Sequence, residues 1–555
     1  MTAPTPRWRR IERSKDWSPL KWPDGWMGKG RTVPPRRRKP TATLDLFWTA
    51  ADKLRGAMDA SEYKSTILTL LYLRFLSIEF EQARQQLNEQ GVGDADDPVV
   101  YAAEGLRWIP PVARWDTLTQ QIKDSDTDAV TVLNEAIVAL MRSNRDLTDV
   151  FPSATGLIGR LDRQRVIELF ALFGEDLATA GGQRAPRDVM GELYEYLSTM
   201  YYELLPEFAR VEGKKGGEFY TPRSVARLLV EMLQPQQGRV YDPCCGSGGL
   251  LVQAARFVQV RGGRSTVDLA YYGQEVNQHT WRLARMNLDI HGMVPAGLGR
   301  ADTLSHDLLP TLTADFVLAH PPFNISDWAR NEVDTRWQYG VPPRRNANYA
   351  WLQHIVHKLS DQGSAGVVLA NGAMSSKSMG EDEIRKAMVE DDLVACIVAL
   401  PAQLFRTTQI AACAWFLTKD KSPQGARRLA DRRGETLFID ARAMGVMVDR
   451  AHRVLTDDDL RAIVSTYHAW RGLDPSSEDY RDVPGFCRSA ALEEIREQQH
   501  NLTPSRYVTT RELAQDSNSG PLQDRVDVLS RELLGLLYQA DQIEEEIRQH
   551  LDVWR

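Results

Sequence analysis

From about Leu44 the apolar residues fall at helical spacing. Leu46, Phe47, Ala50, Ala51 and Leu54 recur every three or four positions, and Tyr63, Ile67, Leu70, Leu71 and Phe75 continue the rule. The same period returns over 130–141 and 163–173. Residues 41–180 are therefore expected to form an all-helical domain with a polar insertion near 88–98. Between roughly 190 and 470 the pattern changes. Short apolar runs at 239–242, 270–275, 315–319, 366–370, 395–400, 412–418 and 436–439 alternate with helical stretches. Runs of this kind predict strands buried on both faces, so the α/β domain over 181–470 is expected to be a doubly wound, Rossmann-like parallel sheet of about seven strands. A connecting segment is expected over 471–520. Beyond Pro521, apolar residues at Leu522, Val526, Leu529, Leu533, Leu536, Ala540, Ile543, Ile547 and Leu551 step by fours and threes. That seam predicts a coiled-coil-like helix over 521–555, suited to packing on its own domain or on a partner helix.

Charge and composition narrow the class. The 555 residues carry a net charge of −7, which excludes a uniformly basic nucleic-acid binder. The average conceals a local excess. Residues 1–39 hold twelve Lys/Arg against three Asp/Glu, so 1–40 is expected to be a disordered basic arm able to touch phosphates, or a plain extended N-terminus. No apolar run reaches membrane-spanning length, and a soluble cytoplasmic protein without membrane contact is expected. Five cysteines do not make a disulfide framework, and the adjacent Cys244-Cys245 lack the spacing of a zinc site, so no metal is expected.

In doubly wound sheets, ligands bind at the carboxyl ends of the strands, and the polar motifs fall there. Arg239-Val-Tyr-Asp-Pro-Cys-Cys-Gly-Ser-Gly-Gly249 is a strand running into a glycine turn and a helix. Glycines allow a ligand to approach the backbone at a helix N-terminus. The turn matches neither a phosphate-binding Walker loop nor the G-x-G-x-x-G of nicotinamide enzymes. The next strand ends at Glu275, where an acid can accept hydrogen bonds from ribose hydroxyls. Asp302, after the following segment, is placed either to hold an adenine or to cap a helix. A fourth strand runs into His320-Pro-Pro-Phe-Asn324. Two prolines fix the backbone there and an aromatic ring follows, a lip suited to a flat base turned out of a duplex.

These residues resemble the amino-methylating DNA methyltransferases. Asp242-Pro-Cys-Cys-Gly-Ser-Gly-Gly249 is similar to their S-adenosylmethionine loop, and Gly217-Glu-Phe-Tyr-Thr-Pro-Arg223 to their second cofactor motif. His320-Pro-Pro-Phe323 stands where the family carries Asn-Pro-Pro-Phe. The order of the motifs is that of the adenine-N6 group. Trp48–Arg55, Asp327–Arg330, Tyr339–Pro343, Asn346–Trp351, Leu369–Gly372 and Leu502–Tyr507 extend the resemblance to the DNA-modification subunit of type I restriction–modification systems, over about residues 44–510. The resemblance implies methylation of adenine in double-stranded DNA. It also implies a complex of two modification subunits and one specificity subunit, which a restriction subunit can join. By carry-over, Glu218, Phe219, Tyr220, Thr221, Pro222 and Arg223 would bind S-adenosylmethionine together with Asp242, Gly246, Ser247, Gly248, Gly249, Glu275 and Asp302. His320, Pro321, Pro322 and Phe323 would form the catalytic lip. Only 44 residues separate Glu275 from His320, which leaves no room for a large target-recognition domain inside the sheet domain and agrees with a separate specificity subunit.

The departure is His320. In the family, the Asn oxygen and a proline carbonyl accept hydrogen bonds from the adenine amino group. A neutral His can accept through one ring nitrogen, whereas a protonated one cannot and would repel a sulfonium. A catalytically weak or inactive scaffold that still holds cofactor and DNA is the alternative expectation.

Overall fold

The expected helical periods over 63–75, 130–141 and 163–173 appear as α1 (Ala60–Gln90), α3 (Ala129–Ser143) and α4 (Arg163–Ala180), and α2 (Trp115–Asp124), which the spacing did not single out, joins them. Their apolar stripes close on one core that contains Leu70, Phe75, Leu118, Leu133, Leu140, Leu169 and Phe173. The polar stretch near 88–98 is the end of α1, a turn, and the N-cap of a short helix, where the Asp97 side chain accepts from the Val99 N–H. The computed structural model describes residues 49–54, 57–58, 60–91, 93–94, 96–124, 126–180, 187, 190–191, 193–194, 221–263, 268–405, 410–423, 429–450, 452–473 and 479–508. The basic arm 1–40, Glu218, Phe219, Tyr220 and the heptad segment 521–555 lie outside the described residues.

All seven expected strands form, with two further ones joining the same sheet. The strands are β1 (Gly238–Asp242), β2 (Leu269–Glu275), β3 (Gly297–Arg300), β4 (Ala314–Ala319), β5 (Leu359–Ala370), β6 (Val394–Ala399), β7 (Ala412–Thr418), β8 (Glu435–Asp440) and, past a small hairpin of β9 (Val446–Met447) and β10 (Arg453–Val454), β11 (Cys487–Ala491). The main sheet has the order β11-β8-β6-β7-β5-β4-β1-β2-β3. It is mixed rather than parallel. β7 runs antiparallel to both β5 and β6, and β11 antiparallel to β8. Burial on both faces shows in the apolar pattern, but direction does not. β7 is fully buried, as a parallel strand would be, so its apolar pattern carries no mark of its direction. β11 belongs to the stretch that reads as a connecting segment, and β3 is a glycine-rich edge strand without an apolar run.

Helices cover both faces. α5 (Arg223–Leu233) and α6 (Gly249–Val260) pack on one side with β1, β4 and β5. α8 (Asn348–Lys358) packs on the other, with Tyr349, Leu352 and Ile355 in its core. Between α6 and α8 in the chain, α7 (Gln278–Ile290) serves two cores. Its Ala284 and Leu288 face the sheet domain, and Leu283, Met286 and Ile290 join the helical domain. Polar contacts lock the same seam. Asp289 accepts two bonds from the Arg107 guanidinium at 2.6 and 2.8 Å and one from Tyr72 Oη at 2.8 Å. Among the described residues, no helix is long and apolar enough to cross a membrane, and no cluster of His, Cys, Asp and Glu could hold a metal ion.

Candidate active site

β1 lies between β2 and β4, so the chain leaves its carboxyl end on one side and returns to the other. This reversal opens a crevice at the ends of β1, β2 and β4. The glycine turn lines it. Gly246 and Gly248 have φ of +55° and +80°, values that favour glycine. A Cβ at Gly246 or Gly249 would meet no heavy atom within 4 Å, so both face open space. Gly273 on β2 is the opposite case. A Cβ there would come within 2.8 Å of Leu298 Cδ1 and 3.2 Å of Cys245 Sγ, so its absence lets the turn sit down on β2.

Side chains tie the ends of β1, β2 and β3 together. Glu275 accepts from the Gly246 N–H at 3.0 Å with one oxygen and from the Asn277 N–H at 2.8 Å with the other. Asn287, buried on α7, donates from Nδ2 to the Ser247 carbonyl at 2.8 Å. Thr303 Oγ1 donates to the Pro243 carbonyl at 2.6 Å, which ties the Asp302 loop to the glycine turn. Asp302 is half-buried and caps a turn, accepting from the Leu304 N–H at 3.0 Å; no helix begins there.

The crevice is electrostatically biased. Asp242 is 1% exposed, and one oxygen accepts from the Cys244 N–H at 3.1 Å. Burial, reinforced by the like-signed Glu275, pushes its carboxyl up to about 8. A ligand bearing positive charge relieves that penalty, so the chemistry of the site favours a cation beside Asp242. Burial and the same two carboxylates also hold the thiols of Cys244 and Cys245 well above the usual thiol range, so neither serves as a nucleophile.

His320 follows the last residue of β4 at the crevice, and buried Pro321, half-buried Pro322 and buried Phe323 come next. Its ring is flanked by Phe323 at 5.2 Å and Phe405 at 5.3 Å between centroids. Nδ1 lies 2.8 Å from Thr221 Oγ1, so the two sequence motifs, 99 residues apart, touch directly. Nε2 is buried without a hydrogen-bond partner among the described residues. Burial pushes the imidazole down to about 3, leaving it neutral around pH 7. Thr221 and Pro222 are half-buried at the start of α5, and Arg223 is exposed.

Sequence reasoning missed several of the supports. Asn324, at φ +55°, is held by Asn348 through two bonds, Asn324 N–H to Asn348 Oδ1 at 3.1 Å and Asn348 Nδ2 to Asn324 Oδ1 at 2.9 Å. Through that exchange the motif around Asn348 fixes the exit of the proline lip. Phe405 has no local signal at all. Asn287 left one, a polar residue on the buried face of an otherwise amphipathic helix.

The chain matches the N-6 DNA Methylase family over residues 185–516 and the HsdM N-terminal domain over residues 45–173. The type I restriction enzyme HindI methylase subunit of Haemophilus influenzae is 39% identical over 461 residues, 80% of this chain and 99% of the relative. The MjaIX methylase subunit of Methanocaldococcus jannaschii is 32% identical over 91% of this chain and 90% of its own. Among solved structures, the type I restriction-modification methyltransferase subunit of Streptococcus thermophilus superposes with a TM-score of 0.67 at 26% identity, over 84% of this chain and all of that one. The chain thus belongs to the N-6 DNA methylase family, among the type I restriction enzyme methylase subunits.

Proposed function

We propose that this chain transfers the methyl group of S-adenosylmethionine to N6 of an adenine in double-stranded DNA, as the modification subunit of a type I complex. The observation that carries the reading is the juxtaposition of a buried, cation-seeking Asp242 and an open glycine turn with the His320 lip at one crevice.

S-adenosylmethionine supplies a methyl group on a positively charged sulfur. Asp242 and Glu275 favour such a ligand by charge, and Gly246, Ser247, Gly248 and Gly249 offer backbone to its polar groups. Asp302, Glu218, Phe219, Tyr220, Pro222 and Arg223 complete the cofactor set by resemblance. Pro321, Pro322 and Phe323 would seat the flat base, and His320 would orient its amino group. The enzyme contributes position and electrostatics, with no covalent intermediate. His320 does not favour the scaffold alternative. A neutral imidazole can accept a hydrogen bond and sets no positive charge against the sulfonium.

In this reading a separate specificity subunit chooses the target, a second modification subunit completes the enzyme, and a restriction subunit is a further member where cleavage accompanies modification. The relatives named as subunits of type I restriction enzymes support that assembly. The arm 1–40 would touch DNA, the helical domain 41–180 and the sheet domain, expected over 181–470 and carried by β11 to at least Ala491, would face the duplex, and the residues beyond would lead to the 521–555 helix as a docking device. A cytoplasmic location follows from the substrate. The test is methyl transfer by the reconstituted complex with base-resolution detection, for native chain and His320→Asn. Methyl-N6-adenine at a defined site supports the proposal; no transfer by either form refutes it.

A further inference from the structure

We propose that Thr221 is a positioning residue for His320: its hydroxyl oxygen accepts the Nδ1 proton and thereby leaves Nε2 as a lone-pair acceptor for the amino group of the target adenine. The proposal rests on the methyltransferase reading above and gives Thr221 a role different from cofactor binding.

An asparagine at this place presents its amide oxygen as an acceptor whatever its neighbours do. A neutral histidine does not. One ring nitrogen donates and the other accepts, and the partner of the first decides the role of the second. Here the first is Nδ1, 2.8 Å from Thr221 Oγ1. A hydroxyl can answer either way, so two arrangements exist in principle. If the Thr221 hydroxyl donates to Nδ1, the proton sits on Nε2. That N–H would then be buried without an acceptor among the described residues. Against substrate it would face the amino group as a second donor, or bind the nitrogen lone pair that must attack the methyl. If Nδ1–H donates to Thr221, Nε2 offers a lone pair instead. Once an entering base uncovers Nε2, which is buried in the free structure, the amino N–H supplies the partner Nε2 lacks, and the attacking lone pair is left free. Only this second arrangement is compatible with transfer.

The surroundings make the pairing rigid. The Phe323 and Phe405 rings stand at 60° and 45° to the imidazole and restrict its rotation. Thr221 is fixed from the other side, because Pro222 is the N-cap of α5 at φ −55° and ψ 140°, and its carbonyl accepts from the Ala226 N–H at 2.9 Å. A triad works by the same logic when a third group holds a histidine in its useful tautomer.

The experiment uses the reconstituted complex and duplex DNA, with Thr221→Val, Thr221→Ser, His320→Asn and the His320→Asn/Thr221→Val double variant. Thr221→Val removes the hydroxyl at nearly constant volume, and kcat should fall by roughly a hundredfold, the cost of a misplaced reacting group. KM and Kd for S-adenosylmethionine should stay within about twofold of native. Thr221→Ser should restore most of kcat. In the His320→Asn background, the same Thr221→Val change should leave kcat within about twofold, because an amide needs no tautomer partner. A cofactor role would instead raise Kd equally in both backgrounds with kcat unchanged, and that result overturns the proposal. Nitrogen NMR of histidine-labelled chain gives a readout independent of turnover: the His320 signals should show Nδ1 protonated and Nε2 bare. A protonated Nε2 overturns the proposal even if the complex methylates, whereas absence of methylation in every form, His320→Asn included, removes the underlying reading instead.

Discussion

Asp242 offers a quantitative test of what the crevice holds. Its carboxyl is fully buried and pushed up to about 8. At pH 7 about ten molecules are protonated for each one ionised, so a ligand cation that forces ionisation must expel about nine-tenths of a proton. The sign follows from linkage. Bound cation favours the carboxylate, so affinity should rise with pH by about one decade per unit up to roughly pH 8 and then level off. Calorimetric titration of S-adenosylmethionine at pH 7, in two buffers of different ionisation enthalpy, reads the proton count directly. S-adenosylhomocysteine, which lacks the charged sulfur, should release markedly less. Asp242→Asn should abolish the difference between the two ligands. It should also stabilise the free protein. The raised pKa means that the folded state gains from protonation below pH 3.8 and loses that gain as pH rises toward 8, a loss of a few kcal/mol that an amide never incurs. Proton release near zero, with an affinity independent of pH between 6 and 8, would refute the view of Asp242 as the counter-charge.

Three further outcomes test the frame around the crevice. Asn287→Ala leaves the Ser247 carbonyl without its donor, and should cost about 1–3 kcal/mol in denaturant unfolding together with weaker S-adenosylmethionine binding. Gly273→Ala forces a methyl to within 2.8 Å of Leu298 and 3.2 Å of Cys245, so the turn must lift; a stability loss of about 1–3 kcal/mol and a larger proportional loss of cofactor affinity are expected by calorimetry. Arg107→Ala removes a two-bond clamp on Asp289 at the seam between the domains. It should lower the melting temperature, read by calorimetry, while leaving the glycine turn intact.

The legible parts of the chain were those where one face meets one solvent. Helical spacing in α3 and α4 and the apolar runs of β1, β4 and β6 carry their own structure, because an amphipathic period or a two-sided buried run admits few solutions. The strand–glycine–helix turn and the Pro-Pro-Phe lip were readable for the same reason: φ values above zero and a strand that must stop leave marks in residue type. The edges of the sheet were not. β3 is Gly-Leu-Gly-Arg, and β11 carries Arg488 and Ser489 among its five residues; edge strands need no continuous apolar run.

By itself the sequence determined the class of fold, the order of the motifs and the replacement of Asn by His320, since each depends on residue identity and near neighbours. The tertiary structure alone decided the direction of β7, the hold of Asn348 on Asn324, the hold of Asn287 on Ser247, and the contact of Thr221 with His320. All four join residues far apart in the chain. Folding brings them within hydrogen-bond reach, and burial then settles the consequence: a carboxyl that seeks a cation and an imidazole that stays neutral.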